Sequence, residues 1–293
     1  MTAHSALRND LLLVLVTVLA AAGWMFSKNA LNGIPPLYFL GIRFLIAGAT
    51  LTLIAASQLR QLQRRNWLQA LGMGSLFALA LMIWILGLEH SEHVGEGAFI
   101  SSLGVVLVPL FARFVFREVL PLSTWVALPV AIAGLALLSL DKGLRLETGQ
   151  ILMLVSAALF AFHFNLITRV VAQMPALALT AIQLCVVGAA SCLAALPFET
   201  LPDPIPPDTW GWILAAALIA SSARFFLQAY AQARVSASHA AVIMVLEPVW
   251  ASLLAGYFLQ ESMSLSQLAG CALIFAALLV NRWRAIANLI KSG

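Results

Sequence analysis

The sequence predicts an all-α, polytopic membrane protein of ten helices. Three observations carry that expectation. Of the 293 residues, 62% are hydrophobic and 10% are charged. An ordinary soluble domain holds roughly 45–50% apolar and about 25% charged residues, so this chain cannot coat itself for water. Apolar runs of about 20 residues recur from end to end, each long enough to cross a bilayer as a helix. The runs also lack the period-2 alternation of barrel strands, and only helices then satisfy every backbone amide within the segment.

Taken in order, the runs lie near 10 to 32, 35 to 57, 67 to 88, 94 to 116 and 121 to 140, then 150 to 172, 175 to 197, 209 to 231, 237 to 259 and 265 to 285. Each is bounded by charge or by Pro and Gly. Residues 11 to 23 with Ala20–Ala22 resemble a secretory signal, but the run continues past Trp24 and reads as the first span. Cys185, Cys192 and Cys271 fall inside apolar runs and read as small buried residues.

The excess of 16 Lys and Arg over 12 Asp and Glu sits between apolar runs, so it marks topology and not a nucleic-acid partner. Arg8, Arg60, Arg64, Arg65, Arg113, Arg117, Arg169, Arg234, Arg282, Arg284 and Lys291 fall on one side of a ten-span threading. That side is expected to be the cytoplasm, with both termini on it. Glu89, Glu92, Asp141, Glu147, Glu199, Asp203, Asp208 and Glu261 fall on the other, with Lys142 and Arg145 as its basic residues. Trp67, Trp125, Trp210, Trp212 and Trp283 stand at span ends, where indoles anchor in the headgroup zone.

The chain repeats itself. A shift of 140 places Leu12 on Leu152, Pro35 on Pro175, Leu37 on Leu177, Ile42 on Ile182 and Gly48 on Gly188. A shift of 143 places Glu118 on Glu261 and Leu122 on Leu265, the difference being absorbed by the loop with Pro202, Pro204, Pro206 and Pro207. The expected halves are residues 1–145 and 146–293, five helices each. An odd number of spans per half forces the second to enter the membrane inverted, the arrangement of secondary transporters with a midplane site.

Trp24, Pro36 and Arg43, the segment FREVLPLSTW around Glu118, and LEPVWASLLAGYFLQESMSLSQLAG over residues 246–270 give the chain a family resemblance. It resembles the drug/metabolite transporter superfamily, its EamA-type ten-helix exporters, and among these the YddG-type aromatic amino-acid exporters. In the family's Gly-Glu turn this sequence has Gln260-Glu261, and Pro109 stands four positions past the frame of Pro248. The resemblance implies two half-bundles around a central cavity, no ATP, and export of amino acids or other small metabolites and drugs. The lack of a GxxxxGK[ST] motif agrees with it.

The candidate substrate-binding residues are Trp24, Lys28, Trp84, His163, Arg224, Gln228, Tyr230, Glu247 and Trp250. Glu247 lies about ten residues inside its span, and a midplane carboxylate costs roughly 2.5–3.5 kcal/mol on insertion scales, so it is expected to face a cavity. Two readings stay open: a group that meets a proton or a substrate amine, or a neutral carboxyl bonded to a neighbouring helix. Pro248 predicts a kink beside it. Ile243, Glu247, Trp250 and Leu254 share one stripe by helical spacing, so Glu247 and Trp250 are expected to act together.

Trp24 and Trp84 could stack a planar substrate or simply pack. Lys28, one turn beyond Trp24, either meets a carboxylate or snorkels outward. Arg43, roughly 12 Å into its span, is too deep to snorkel and is expected to pair with a carboxylate or a backbone carbonyl. His163 with Asn165, and Arg224 with Gln228 and Tyr230, place polar groups mid-span. His239, near a span end, reads as hydrated. The cavity is expected to be walled by helices 1, 3, 4, 6, 8 and 9.

The stretch Glu89-His90-Ser91-Glu92-His93-Val94-Gly95-Glu96 offers metal-binding side chains but no zincin HExxH, and reads as a solvated loop. No metal, cofactor or catalytic constellation is expected. The function expected is export of small amphipathic metabolites by alternating access, aromatic or hydrophobic amino acids first, in a bacterial inner membrane. Export of flat cationic drugs is the alternative, and an intramembrane enzyme the remote one. The partners expected are a small-molecule substrate and the lipid bilayer, with no nucleic acid and a monomer as the working unit.

Overall fold

A computed structural model of the chain describes residues 3–89, 94–139, 148–259 and 264–292. Residues 90–93 of the stretch Glu89–Glu96, the turn at Gln260-Glu261 and the loop residues Asp141, Lys142, Arg145 and Glu147 lie outside the described residues. Among those described, all regular structure is helical, arranged as ten rods. Spans 1 to 5 are Ala3–Ala30, Pro36–Ile54, Arg64–Glu89, Val94–Phe114 and Leu122–Ser139. Spans 6 and 7 are Thr148–Val170 and Ala176–Ala195. Span 8 joins Pro207–Ala217, a π-helical segment Leu218–Ala223 and Arg224–Gln232. Span 9 joins Ala237–Met244 and Glu247–Leu259, and span 10 is Leu265–Ser292. A short helix, Ala56–Arg60, links spans 2 and 3.

Six of the rods are long and apolar enough to cross a membrane by length and composition: spans 1, 2, 3, 6, 7 and 8. The others have shorter apolar stretches, such as Leu122–Leu137 in span 5. Large apolar side chains including Leu53, Ile54, Leu193, Leu196 and Leu279 stand exposed, which in a chain this poor in charge is a lipid-facing surface.

Prolines open several spans, because a residue with no N–H loses nothing in the first turn. Pro36 and Pro207 occupy first-turn positions, and Pro175 precedes span 7. The free amides at the start of span 2, Leu37 N and Tyr38 N, donate to the two carboxylate oxygens of Glu199 at 2.8 and 2.9 Å. A carboxylate there is favoured by the helix dipole as well as by the bonds.

Span 2 crosses span 7 where glycines let the backbones meet. A Cβ on Gly48 would fall 2.6 Å from Cys185 N, and one on Gly188 would fall 2.5 Å from Leu45 N. These two contacts coincide under the shift of 140. The most extensive of the other packing pairs behave alike when each span is exchanged for the one five places along. Pairs 2–7, 5–10 and 4–9 return to themselves. Pair 3–6 becomes 8–1, 4–6 becomes 9–1, 3–7 becomes 8–2 and 4–5 becomes 9–10, all of them observed.

Two spans depart from the continuous helices that the sequence predicts. Span 9 breaks at Val245 and Leu246, just before Pro248, whose missing N–H leaves the carbonyl one turn back without its helical donor. The kink is therefore where the proline requires, and it takes Ile243 out of the expected stripe, whereas Glu247, Trp250 and Leu254 stay on the one helix Glu247–Leu259. Span 8 widens into the π segment, where Ser221 and Ser222 hydroxyls donate back five residues to Ala216 O and Ala217 O, each at 3.0 Å. Single π turns of this kind recur at functional sites.

Candidate functional site

The widened turn of span 8 opens a place for a charge. Arg43, from span 2, donates through Nε to Ser221 Oγ at 2.7 Å, through Nη1 to Ser27 Oγ at 3.0 Å and through Nη2 to Ala220 O at 3.3 Å. Its guanidinium also lies over the rings of Phe39 and Phe44, 5.7 and 5.3 Å from their centroids. Gly23 of span 1 makes the room, since a Cβ there would stand 2.8 Å from that of Ala220. Of the partners expected for Arg43, the structure supplies the carbonyl and adds two hydroxyls.

One turn on, Arg224 Nη2 faces Glu247 Oε2 at 3.5 Å. The other carboxylate oxygen accepts Trp24 Nε1–H at 3.2 Å, and the Trp24 ring meets Trp84 edge to face at 5.2 Å. Trp24, Trp84, Arg224 and Glu247, four of the nine candidate residues, thus form one connected group from spans 1, 3, 8 and 9. Glu247 is half-buried and doubly engaged, so its charge is balanced inside the protein.

Beneath the arginines lies an aromatic plug. Phe77 of span 3 stands at its middle, 6.3 Å from Phe44, 5.1 Å from Phe225 and 6.0 Å from Phe160 by ring centroids. His163 stacks flat on Phe77 at 4.6 Å, and Arg224 lies over Phe225 at 4.3 Å. Nε2 of His163 and Nε2 of Gln183, the latter from span 7, are buried without a hydrogen-bond partner. Buried polar atoms are normally satisfied, so such atoms mark places built for something more than packing.

Towards the face that carries the termini, Gln228 continues the polar line. Its Nε2 donates to Gln232 Oε1 at 3.4 Å and its Oε1 is buried and unsatisfied. Gln232 Nε2 donates in turn to Phe164 O and Thr168 Oγ1, both at 3.3 Å. Gln232 and Thr168 floor an open vestibule of about 560 Å³ with Arg8, Asn9 and Arg234 at its walls. The mouth is therefore basic.

The remaining candidates fall elsewhere. Trp250 Nε1 donates to the fully buried Thr17 at 3.0 Å and its ring meets Phe275 edge to face at 6.4 Å, so it packs spans 9, 1 and 10 together and does not join Glu247. Tyr230 lies at the terminal face under Arg234, 3.6 Å from cation to ring centroid. Lys28 is exposed. His239, read as hydrated, is half-buried and bonded to Asp10 at 2.9 Å.

Spans 2 and 7, left out of the expected cavity wall, supply Arg43, Phe44 and Gln183. A signal for Gln183 was present: the shift of 140 lays Arg43 on Gln183. Nothing in the sequence marked the π segment except the Ser221-Ser222 pair within an apolar run.

The EamA-like transporter family matches this chain twice, over residues 7–140 and 147–283. An uncharacterized transporter of Bacillus subtilis (strain 168), YwfM, is 28% identical over 249 residues, covering 84% of this chain and 83% of its own. An uncharacterized transporter of Archaeoglobus fulgidus is 27% identical over 271 residues, covering 92% of this chain and 84% of its own. A crystal structure at 18% identity superposes with a TM-score of 0.82 over 96% of this chain and 98% of the other, a likeness of fold. Multi-pass, all-helical and matched in each half, the chain belongs to the EamA-like family of membrane transporters.

Proposed function

We propose that the chain is a secondary exporter of small amphipathic metabolites, with aromatic or hydrophobic amino acids as the first class to test. It works by alternating access between two inverted halves, residues 1–145 and 146–293. The observation that carries this reading is that polar links cross between the two halves at the centre: Trp24 with Glu247, and Arg43 with Ser221 and Ala220. A site divided between halves is remade whenever one half rocks against the other. The twofold family match and the exchange of packing pairs five spans apart support the division.

The termini and the basic residues Arg60, Arg64 and Arg65 belong on the cytoplasmic side of a bacterial-type inner membrane, with the basic vestibule as the cytoplasmic entrance. The aromatic plug then closes the route between the two sides, while Trp24 and Trp84 offer ring faces to an apolar substrate body. Counterflow of radiolabelled phenylalanine, tryptophan and leucine in proteoliposomes tests the reading. Saturable, protein-dependent uptake is expected for at least one of them, and lack of exchange for all three would remove amino acids from the substrate list.

A further inference from the structure

Among the described residues, the centre of the bundle holds one more positive charge than it balances. Glu247 is already engaged by Arg224 and by Trp24. Arg43 rests on two hydroxyls, a carbonyl and two aromatic faces, and among the described residues no carboxylate lies within ion-pair distance of it. Arg224 reaches Glu247 at 3.5 Å with one nitrogen and keeps its Nε buried and unsatisfied. The two arginines attach to the same stretch of span 8, since Arg43 bonds Ala220 and Ser221 and Arg224 follows within four positions. Two guanidiniums held on one turn of a helix repel each other. A low-dielectric interior magnifies that repulsion, and only an anion between or beside the two guanidiniums relieves it.

We propose that Arg43 and Arg224 form the receptor for the carboxylate of a monoanionic substrate whose apolar body lies against the central aromatic rings. The proposal rests on the exporter reading above and narrows its substrate class. Guanidinium forks bind carboxylates through two parallel N–H···O bonds, and Arg224 still has a donor to give. One uncompensated positive charge matches one negative charge. The rings under the arginines, Phe44 and Phe225, stand 5.9 Å apart, and with Phe77 they form an apolar floor for an aryl or alkyl body. Among the described residues at this centre no carboxylate remains free to meet an ammonium group, because Glu247 is occupied. An arylalkanoate therefore suits the site better than the matching zwitterion, and the matching amine is repelled.

Three molecules of nearly one shape separate these cases: 3-phenylpropanoate, phenylalanine and 2-phenylethylamine. Binding is measured on the purified full chain in detergent by thermal shift and by isothermal calorimetry, and transport is measured separately in proteoliposomes. The expected order of affinity is the acid first, the zwitterion at least tenfold weaker and the amine without measurable binding. R43Q is expected to weaken binding of the acid at least tenfold, whereas R43K, which keeps the charge and loses the fork, weakens it less. The melting temperature of each unliganded variant shows that it is folded. Equal or stronger binding of phenylalanine or the amine, or a folded R43Q that binds the acid like the wild type, would overturn the proposal. Binding of the acid without transport would leave the anion site standing and sink the exporter reading alone.

Discussion

Glu247 shows how one side chain can be both a cost and a support. A carboxylate in mid-bundle is expensive, and here the expense is offset by an indole N–H and a guanidinium. Removing one partner leaves the other charge unbalanced, whereas removing both leaves neutral groups. Glu247→Gln is therefore expected to lower stability by about 1–3 kcal/mol, less than a fully buried pair would lose because both side chains retain some exposure. Arg224→Gln should cost a similar amount, and the double variant less than the sum of the two. Thermal or denaturant unfolding in detergent gives the cycle, and strictly additive losses would show that the 3.5 Å contact carries no coupling. The sequence made Glu247 conspicuous because a lone carboxylate in an apolar run can be read at once. It could not say what Trp250 meets, because that depends on the buried hydroxyl of Thr17, some 230 positions away.

Glycines set how close the helices come, and the structure separates those that matter from those that do not. At Gly48 and Gly188 an added methyl would strike the backbone of the partner span, so one of the two helices must move. G48A and G188A are each expected to destabilise by about 1–3 kcal/mol, and by similar amounts, since they occupy matching sides of one crossing. Gly72 and Gly211 have open space where a Cβ would go, so G72A should be neutral or gain up to about 1 kcal/mol of helix propensity. Melting temperatures of the three variants decide it, and a neutral G48A would mean that spans 2 and 7 stand further apart. The order and bounds of the spans were legible because lipid imposes a length and a composition on each. The π segment of span 8 was not, since it arises from serine hydroxyls competing for carbonyls and from Arg43 taking Ala220 O, both matters of tertiary context.

At the scale of the whole molecule, each face of the bundle is tied across the proposed halves by a few polar links. On the terminal face, Asp10 of span 1 bonds His239 of span 9 at 2.9 Å, and Glu118 pairs with Arg169 of span 6 at 2.6 Å. On the opposite face, Glu199 holds the first turn of span 2. Partly exposed pairs of this kind contribute roughly 0–1 kcal/mol each. The two links on the terminal face therefore contribute about 2 kcal/mol at most to holding it closed. If the halves rock, a covalent tie at that place must stop the cycle, while loss of the Asp10–His239 bond alone must not. The variant D10C/H239C, in a background where Cys185, Cys192 and Cys271 are replaced by Ser or Ala, is expected to exchange substrate at near the control rate when reduced. Bridged by a short cleavable bis-thiol reagent, it should lose at least tenfold in counterflow and regain activity on cleavage. Bridged protein that transports like the reduced form would show that spans 1 and 9 stay together at this face throughout the cycle, and the moving boundary would then have to lie elsewhere than between residues 1–145 and 146–293.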